Sequence, residues 1–458
     1  MSFASFFSAG SAFFTIFPEK KTFKPELIIV YYYHDNFSKP GISLMNNTPK
    51  SLRLQLALCG RINAGKSTLF NLITDQDASI TSPQRGTTTD VVEKTMELRP
   101  LGPAVLLDTA GFDDLSALGS RRQEKTLRAI DRADAVLLVT APGCWAETEE
   151  KIVKLAKERK TPVIPVVNIR DAHPDAAFLD LLKEKTGIAP AEVVAKDRSC
   201  RSEFLNTLTA LLAEILPESR LELPFLHDLI PENSIVLLMT PIDSQAPKGR
   251  LIMPEVMAIR DILDGNAVAV TAKESAFPDI FSKLAETPAL VVCDSQVVHK
   301  MIATVPPSIP QTTFSILMSR LKGDIEIFSA GCAAIESLKP GDNVLIAEAC
   351  THHAADNDIG KVLIPELLQK KCGGKLNFSF SAGADYPADL DRYALIIHCG
   401  GCMLNRKAML NRLNSAVNAG VPVCNYGMCI AACKGVIGKV LSPFPEALKR
   451  YRLELDKQ

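Results

Sequence analysis

Residues 52–72 read LRLQLALCGRINAGKSTLFNL, and their order decides the fold. The run from Leu52 to Cys59 is apolar enough for a short buried strand, and the segment from Lys66 has the composition of a helix. Between them Gly60-Arg61-Ile62-Asn63-Ala64-Gly65-Lys66-Ser67 fits G-x-x-x-x-G-K-S, in the strand-turn-helix context that a phosphate-binding loop (P-loop) requires. The glycines let the backbone approach phosphate oxygens, and amides at the helix N-terminus bind oxyanions. Lys66 is then placed to reach the β- and γ-phosphates of a nucleoside triphosphate, and Ser67 to ligate magnesium. The nucleotide-contacting set read from this loop is Gly60, Asn63, Ala64, Gly65, Lys66, Ser67 and Thr68.

Outward from that loop the same pattern repeats. AVLLDTAG (104–111), ADAVLLVT (133–140) and TPVIPVVN (161–168) are short apolar runs alternating with helical segments. Such alternation predicts an α/β fold, a doubly wound parallel sheet, over residues 48–217. Two smaller α/β units follow. The first, 218–311, holds NSIVLLMTP, NAVAVTA and PALVVCD and ends near the Pro-rich PPSIPQ; it contains no catalytic constellation. The second, 312–458, holds NVLIAEAC, KLNFSFSAG, YALIIHCGGC and VPVCNYG.

Composition narrows the function. Lys plus Arg (51) nearly cancel Asp plus Glu (52), so the basic excess that holds a nucleic-acid backbone is missing and no nucleic-acid partner is expected. Twelve cysteines scattered through a long chain do not form the dense disulfide framework of a small secreted domain, which points to a reducing, cytoplasmic setting. Eight of them lie between Cys332 and Cys433, which places any thiolate chemistry in the last unit. Residues 1–47 differ in kind: Ser- and Phe-rich, uncharged to Pro18, with the run Tyr31-Tyr32-Tyr33. They read as an extension, either a targeting sequence that would make the protein organellar, a disordered tail, or sequence upstream of a true start at Met45. No membrane span is expected.

The nucleotide is set by three further motifs. Asp108-Thr109-Ala110-Gly111 follows its strand where a second magnesium-side loop belongs, with Asp108 holding the metal through water and the Gly111 amide sensing the γ-phosphate. Asn168-Ile169-Arg170-Asp171 resembles the N-K-x-D motif of GTPases, which assigns Asp171 to guanine; Ile169 stands where the usual Lys packs on the base. Val194-Ala195-Lys196 resembles the S-A-K loop that supports guanine. Asn63, together with Gly86-Thr87-Thr88-Thr89-Asp90, resembles the potassium-dependent, TrmE/Era-like GTPases, in which the asparagine ligates a monovalent cation and the switch threonine, here Thr88, closes over magnesium. Phe112 stands where Ras-like proteins carry a water-orienting Gln, so intrinsic GTP hydrolysis should be slow and potassium-stimulated. The residues expected to carry hydrolysis are Lys66, Ser67, Thr88, Asp108 and Gly111.

In the last unit Cys350-Thr351-His352 and His398-Cys399-Gly400-Gly401-Cys402 each end a strand. Soft thiolates and imidazoles in two clusters suit iron-sulfur or zinc chemistry alike, and spacing does not separate the two. The pair C-x-H and H-C-G-G-C resembles the signature of the maturation GTPases of di-iron hydrogenases, the HydF family, and the likeness runs from about Thr48 to the C-terminus. That resemblance implies that Cys350, Cys399 and Cys402 hold a 4Fe-4S cluster, with His352 and His398 candidates for its fourth ligand. It also implies a homodimer paired through the middle unit, and a scaffold that takes the two-iron precursor from radical-SAM maturases and delivers it to apo FeFe-hydrogenase. The rival reading is a tRNA- or ribosome-associated potassium-dependent GTPase with a zinc-stabilised accessory domain. Cys424, Cys429 and Cys433 read as core thiols, as does Cys59.

Overall fold

The computed structural model describes residues 27–29, 49–75, 92–109, 119–170, 172–216, 224–242, 251–284, 286–349, 359–383, 386–387 and 389–457. The first body is a six-stranded sheet in the order β3-β4-β2-β5-β6-β7. Its strands are β2 (Leu54–Cys59), β3 (Val92–Leu98), β4 (Gly102–Asp108), β5 (Ala135–Thr140), β6 (Val163–Asn168) and β7 (Ala191–Val193). All neighbours run parallel except β3, which is antiparallel to β4. Strands β2, β5 and β6 are buried along their whole length, because helices cover both faces. On one face lie α1 (Lys66–Thr74) and α5 (Arg201–Ile215), around Leu69, Phe70, Leu208 and Leu212. On the other lie α2 (Gly119–Arg132) and α3 (Glu147–Glu158), around Ala129, Ile130, Ile152 and Ala156. Helix α4 (Ala176–Thr186) is started by Asp175, whose side chain accepts from Phe178 N at 2.8 Å, and stopped by Gly187 in the left-handed conformation.

The middle sheet has the order β1-β9-β8-β10-β11. It comprises β8 (Ile235–Met239), β9 (Val268–Ala272), β10 (Leu290–Cys293) and β11 (Gln311–Thr313), with β1 (Leu27–Ile29) antiparallel on the β9 edge. Helices α6 (Met253–Asp264) and α7 (Val298–Thr304) connect its strands. The last sheet is fully parallel, in the order β13-β12-β14-β15, from β12 (Asn343–Ala347), β13 (Asn377–Ser381), β14 (Leu395–His398) and β15 (Val423–Asn425). Around it pack α8 (Phe314–Lys322), α9 (Ile325–Ala333), α10 (Ile364–Cys372), α11 (Arg406–Asn418), α12 (Tyr426–Cys433) and α13 (Pro445–Leu455).

Two features depart from the sequence-based outline. The expected boundary after residue 311 falls inside β11, whose Gln311, Thr312 and Thr313 pair with Val291, Val292 and Cys293. The Pro-rich stretch before it is therefore a loop within the middle body, not a linker. Secondly, the middle and last sheets share one continuous apolar core running from Phe225 to Tyr451, whereas the first body keeps its own cores. Each fully buried Leu, Ile or Phe in such a core contributes roughly 1.5–3 kcal/mol, so the shared core welds the second and third units together. Described contacts from the first body to that weld include hydrogen bonds: Lys322 Nζ donates to Ser51 O at 2.8 Å, and Lys407 Nζ to Lys160 O at 3.0 Å. No helix among the described residues is long and apolar enough to cross a membrane.

Candidate functional site

The loop between β2 and α1 has the shape of an anion cradle. Gly60 has φ 145°, and a Cβ there would lie 2.3 Å from Val139 O; Gly65, the N-cap of α1, has φ 98°, and a Cβ would lie 2.1 Å from Asn168 Nδ2. Asn63, exposed, takes φ 61°, a conformation asparagine tolerates better than most residues. Lys66 is 7 % exposed and its Nζ donates back to Gly60 O at 3.1 Å and Arg61 O at 2.8 Å, so its charge sits against the loop that phosphates would enter. Ala64 is buried and Thr68 half-buried on the first turn of α1.

Ser67 Oγ donates to Asp108 Oδ2 at 2.9 Å, while the other carboxylate oxygen, Oδ1, is buried and has no hydrogen-bond partner among the described residues. Burial pushes the Asp108 carboxyl above its ordinary range, against the opposing pull of Ser67 and Lys66. A hydroxyl and an orphaned carboxylate oxygen on adjoining loops make a hard oxygen donor set that suits magnesium. Beside it, burial raises the Cys59 thiol to about 12, which makes it a structural group as expected.

On the base side, Asn168 is 3 % exposed and ties two loops together, donating from Nδ2 to Ala64 O at 3.1 Å and accepting at Oδ1 from Ala195 N at 3.2 Å. Lys196 follows on the surface. Arg170 reaches the P-loop directly, its Nη2 donating to Asn63 O. Arg61, within the P-loop, pairs with Glu149 of α3, which is fully buried and also accepts from Ala146 N at 3.0 Å. Thr88, Gly111 and Asp171 lie outside the described residues.

The cysteine site is assembled where two parallel strands end side by side, Ala347 of β12 opposite His398 of β14. Cys399 N donates to Ala347 O at 2.9 Å, and in return Ala349 N points at Cys399 Sγ, 3.1 Å away. Ala349 is the last described residue of this segment, and Cys350 and His352 lie outside the described residues. The loop turns at Gly401, φ 64°, where Leu404 N donates to Gly401 O at 2.9 Å. Cys402 is half-buried; burial raises its thiol and the nearby Lys322 ammonium opposes that rise. Lys322 is itself 1 % exposed, held down to about 7 by burial, and its Nζ also donates to Leu404 O at 3.0 Å. An amide facing the Cys399 sulfur favours thiolate there, and the Lys322 charge partly offsets the burial that disfavours it at Cys402; soft sulfur donors of this kind suit iron or zinc. Among the described residues no group of three His, Cys, Asp or Glu side chains is poised to hold a metal ion.

One expected ligand needs correction. His398 is fully buried with both ring nitrogens engaged: Nδ1 lies 2.9 Å from Cys399 O and Nε2 is 3.1 Å from Arg412 Nη1. Burial first, and the Arg412 charge second, hold its pKa down to about 3. This ring donates from Nδ1, accepts at Nε2 and has no nitrogen left for a metal. Arg412 continues the network, donating to Gly383 O and stacking 5.0 Å from the centre of the Tyr386 ring. The sequence reading missed Arg170, Lys322 and Arg412. Only Lys322 left a trace: Phe314, Met318 and Lys322 recur every four residues, which puts the lysine on the apolar face of α8.

Three protein-family models match the chain in sequence order: a 50S ribosome-binding GTPase over residues 55–169, the hydrogen maturase F dimerization domain over 225–323, and the hydrogen maturase F tetramerization domain over 326–443. A tRNA modification GTPase MnmE from Halorhodospira halophila is 38% identical over 130 residues, covering 27% of this chain and 27% of that protein. A GTPase Der from Kosmotoga olearia is 34% identical over 124 residues, covering 26% and 28%. The chain thus spans about a quarter to a third of the length of the curated relatives it matches. A crystal structure of a probable GTP-binding protein, engB, aligns over 35% of this chain and 99% of that one, at 18% identity and a TM-score of 0.29.

Proposed function

The chain belongs to the hydrogen maturase F family of GTPases, and from that premise we propose that it carries a 4Fe-4S cluster and a two-iron precursor for delivery to an apo FeFe-hydrogenase. Its first body is a GTPase, and its second and third match modules of self-association. The observation that supports the carrier reading is the Ala349 amide aimed at Cys399 Sγ, because an N–H donor facing that sulfur favours a thiolate there.

In this reading Lys66 and the P-loop amides bind the β- and γ-phosphates, and Ser67 with Asp108 holds magnesium, which supplies charge neutralisation at the transferring phosphoryl group. Thr88 closes over the magnesium, the Gly111 amide senses the γ-phosphate, and Asp171 selects guanine. Asn168 fixes the base loop against the P-loop through Ala64 and Ala195. Asn63 takes part in potassium binding, and the cation stimulates hydrolysis. Cys350, Cys399 and Cys402 hold the cluster, which leaves one iron for an exchangeable ligand; His352 is the histidine that remains for that position. The Lys322 ammonium balances thiolate charge. The working form is a homodimer, and its partners are radical-SAM maturases and the apo hydrogenase.

Electron paramagnetic resonance on anaerobically reconstituted, dithionite-reduced protein tests this reading. A fast-relaxing 4Fe-4S signal is expected from the unaltered protein and its loss from Cys399→Ala. A silent spectrum with stoichiometric zinc would instead return the chain to the GTPases with zinc-stabilised accessory domains.

A further inference from the structure

The two sites meet at a joint that neither needs for its own chemistry. Helix α2 starts at Gly119, shortly after the Asp108–Gly111 segment, and ends at Arg132. At that end the Arg132 side chain pairs with Glu93 of β3, the strand that follows the 86–90 segment. Both stretches expected to answer to the γ-phosphate therefore lead to one residue. The last carbonyls of a helix have no partner within it. Here Arg132 O accepts from Asn405 Nδ2 and Asp131 O from Asn411 Nδ2, each at 2.6 Å, and both asparagines come from the other side of the joint.

Asn405 is 5 % exposed and follows Cys402 by three residues. Its Oδ1 accepts from Ala408 N at 3.1 Å and so caps α11, while its Nδ2 serves α2. A carboxamide is a neutral side chain that can accept at one helix start and donate to another helix end at once. Lys322 stands next to this bridge and links Ser51 O, ahead of β2, to Leu404 O in the cysteine loop. The apolar cores on the two sides do not merge. A joint held by directional bonds, with no core common to its two sides, changes geometry when a helix end turns or slides.

We propose that Asp131 and Arg132 at the end of α2, bridged to Asn405 and Asn411 of the Cys402–α11 segment, transmit the nucleotide state of the P-loop to the cysteine loop. This rests on the reading that the first site binds GTP and the second a cluster. γ-Phosphate contacts order the switch segments and their loss on hydrolysis releases them. The shift reaches Arg132 through α2 and β3, and Asn405 passes it to the backbone that carries Cys402. Linkage makes the effect reciprocal: cluster loading alters the preference for GTP over GDP by the same factor as the nucleotide alters the cluster.

The test uses the full chain with and without reconstituted cluster, titrated with fluorescent GDP and a non-hydrolysable fluorescent GTP analogue. Cluster loading should change the analogue-to-GDP affinity ratio by a factor within roughly 5–150, the usual span of allosteric coupling. In Asn405→Ser, which keeps the cap but loses the donor to Arg132, combined with Asn411→Ala, that factor should fall to about 1. Iron content and the affinities of the cluster-free protein should stay unchanged in the double variant, and the two single variants should fall between. Full coupling in the double variant, or a factor of 1 in unaltered protein that binds both ligands, overturns the joint and leaves the carrier reading intact. Failure to bind a cluster at all removes both.

Discussion

The nucleotide loop and the cysteine loop occupy equivalent places, each at the carboxyl ends of parallel strands, yet they are built from opposite materials. At the P-loop the backbone does the binding, so eight consecutive residues contain the whole device and the glycines at 60 and 65 are required by closeness and by φ. At the cysteines side chains would do the binding proposed above, and Cys399 reaches its place because β12 and β14 lie in register. A backbone device depends on local conformation. A side-chain device depends on tertiary structure and on a second layer, here Lys322, His398 and Arg412, that ties down the loop carrying Cys399 and Cys402. The lesson is that the first is vulnerable to a single methyl group and the second to loss of a single sulfur.

The strongest break between the two is expected from Cys402→Ala. Iron bound after reconstitution should fall to background while GTP hydrolysis, assayed as phosphate release at saturating GTP, stays at the level of the cluster-free unaltered protein. If phosphate release collapsed as well, the sites would not be separable. Lys66→Ala should do the reverse, lowering kcat/KM for GTP by about 10²–10³, equivalent to roughly 3–4 kcal/mol, with cluster absorbance intact. Gly65→Ala sharpens the comparison at the backbone. The left-handed conformation costs about 1–2 kcal/mol and the collision with Asn168 adds to it, so thermal unfolding of the first body should begin several degrees lower. Gly143→Ala, with φ 72° and nothing within 4 Å, should show only the conformational penalty of about 1 kcal/mol.

The smallest effect concerns Arg170, whose guanidinium holds Asn63 O although Ile169 stands where GTPases usually carry lysine. Arg170→Ala should raise the Kd for GDP roughly 5–10-fold, about 1 kcal/mol, at unchanged kcat. Adding Ile169→Lys to that variant should recover most of the affinity; no recovery would mean that Arg170 stabilises the loop without taking over the tether.

Legibility followed the same division. The P-loop, the strands around it and the three sheets were readable because apolar runs and Gly-Lys-Ser spacing are local. Strand β3 was not, since Val92–Leu98 carries Glu93, Lys94 and Glu97 and packs as a half-exposed edge. Strand β11 was missed because Gln311, Thr312 and Thr313 are polar in sequence, yet Thr312 and Thr313 are wholly buried in the sheet. His398 read as a metal ligand from its place beside Cys399, and only the position of Arg412, on a helix packed against it, shows where its nitrogens are spent. The bridge from Asn405 to Arg132 spans 273 residues of sequence and left no signal in either segment.

The weld between the second and third bodies also sets what can be exchanged. A chain that keeps residues 224–457 keeps one apolar core whole, while the first body keeps its own and meets its neighbour through hydrogen bonds. The GTPase is therefore the replaceable cartridge: recombination at residues 216–224 could graft a different nucleotide clock onto the same sulfur-bearing chassis, whereas a cut near 311 would split a core and leave two halves that fold only together.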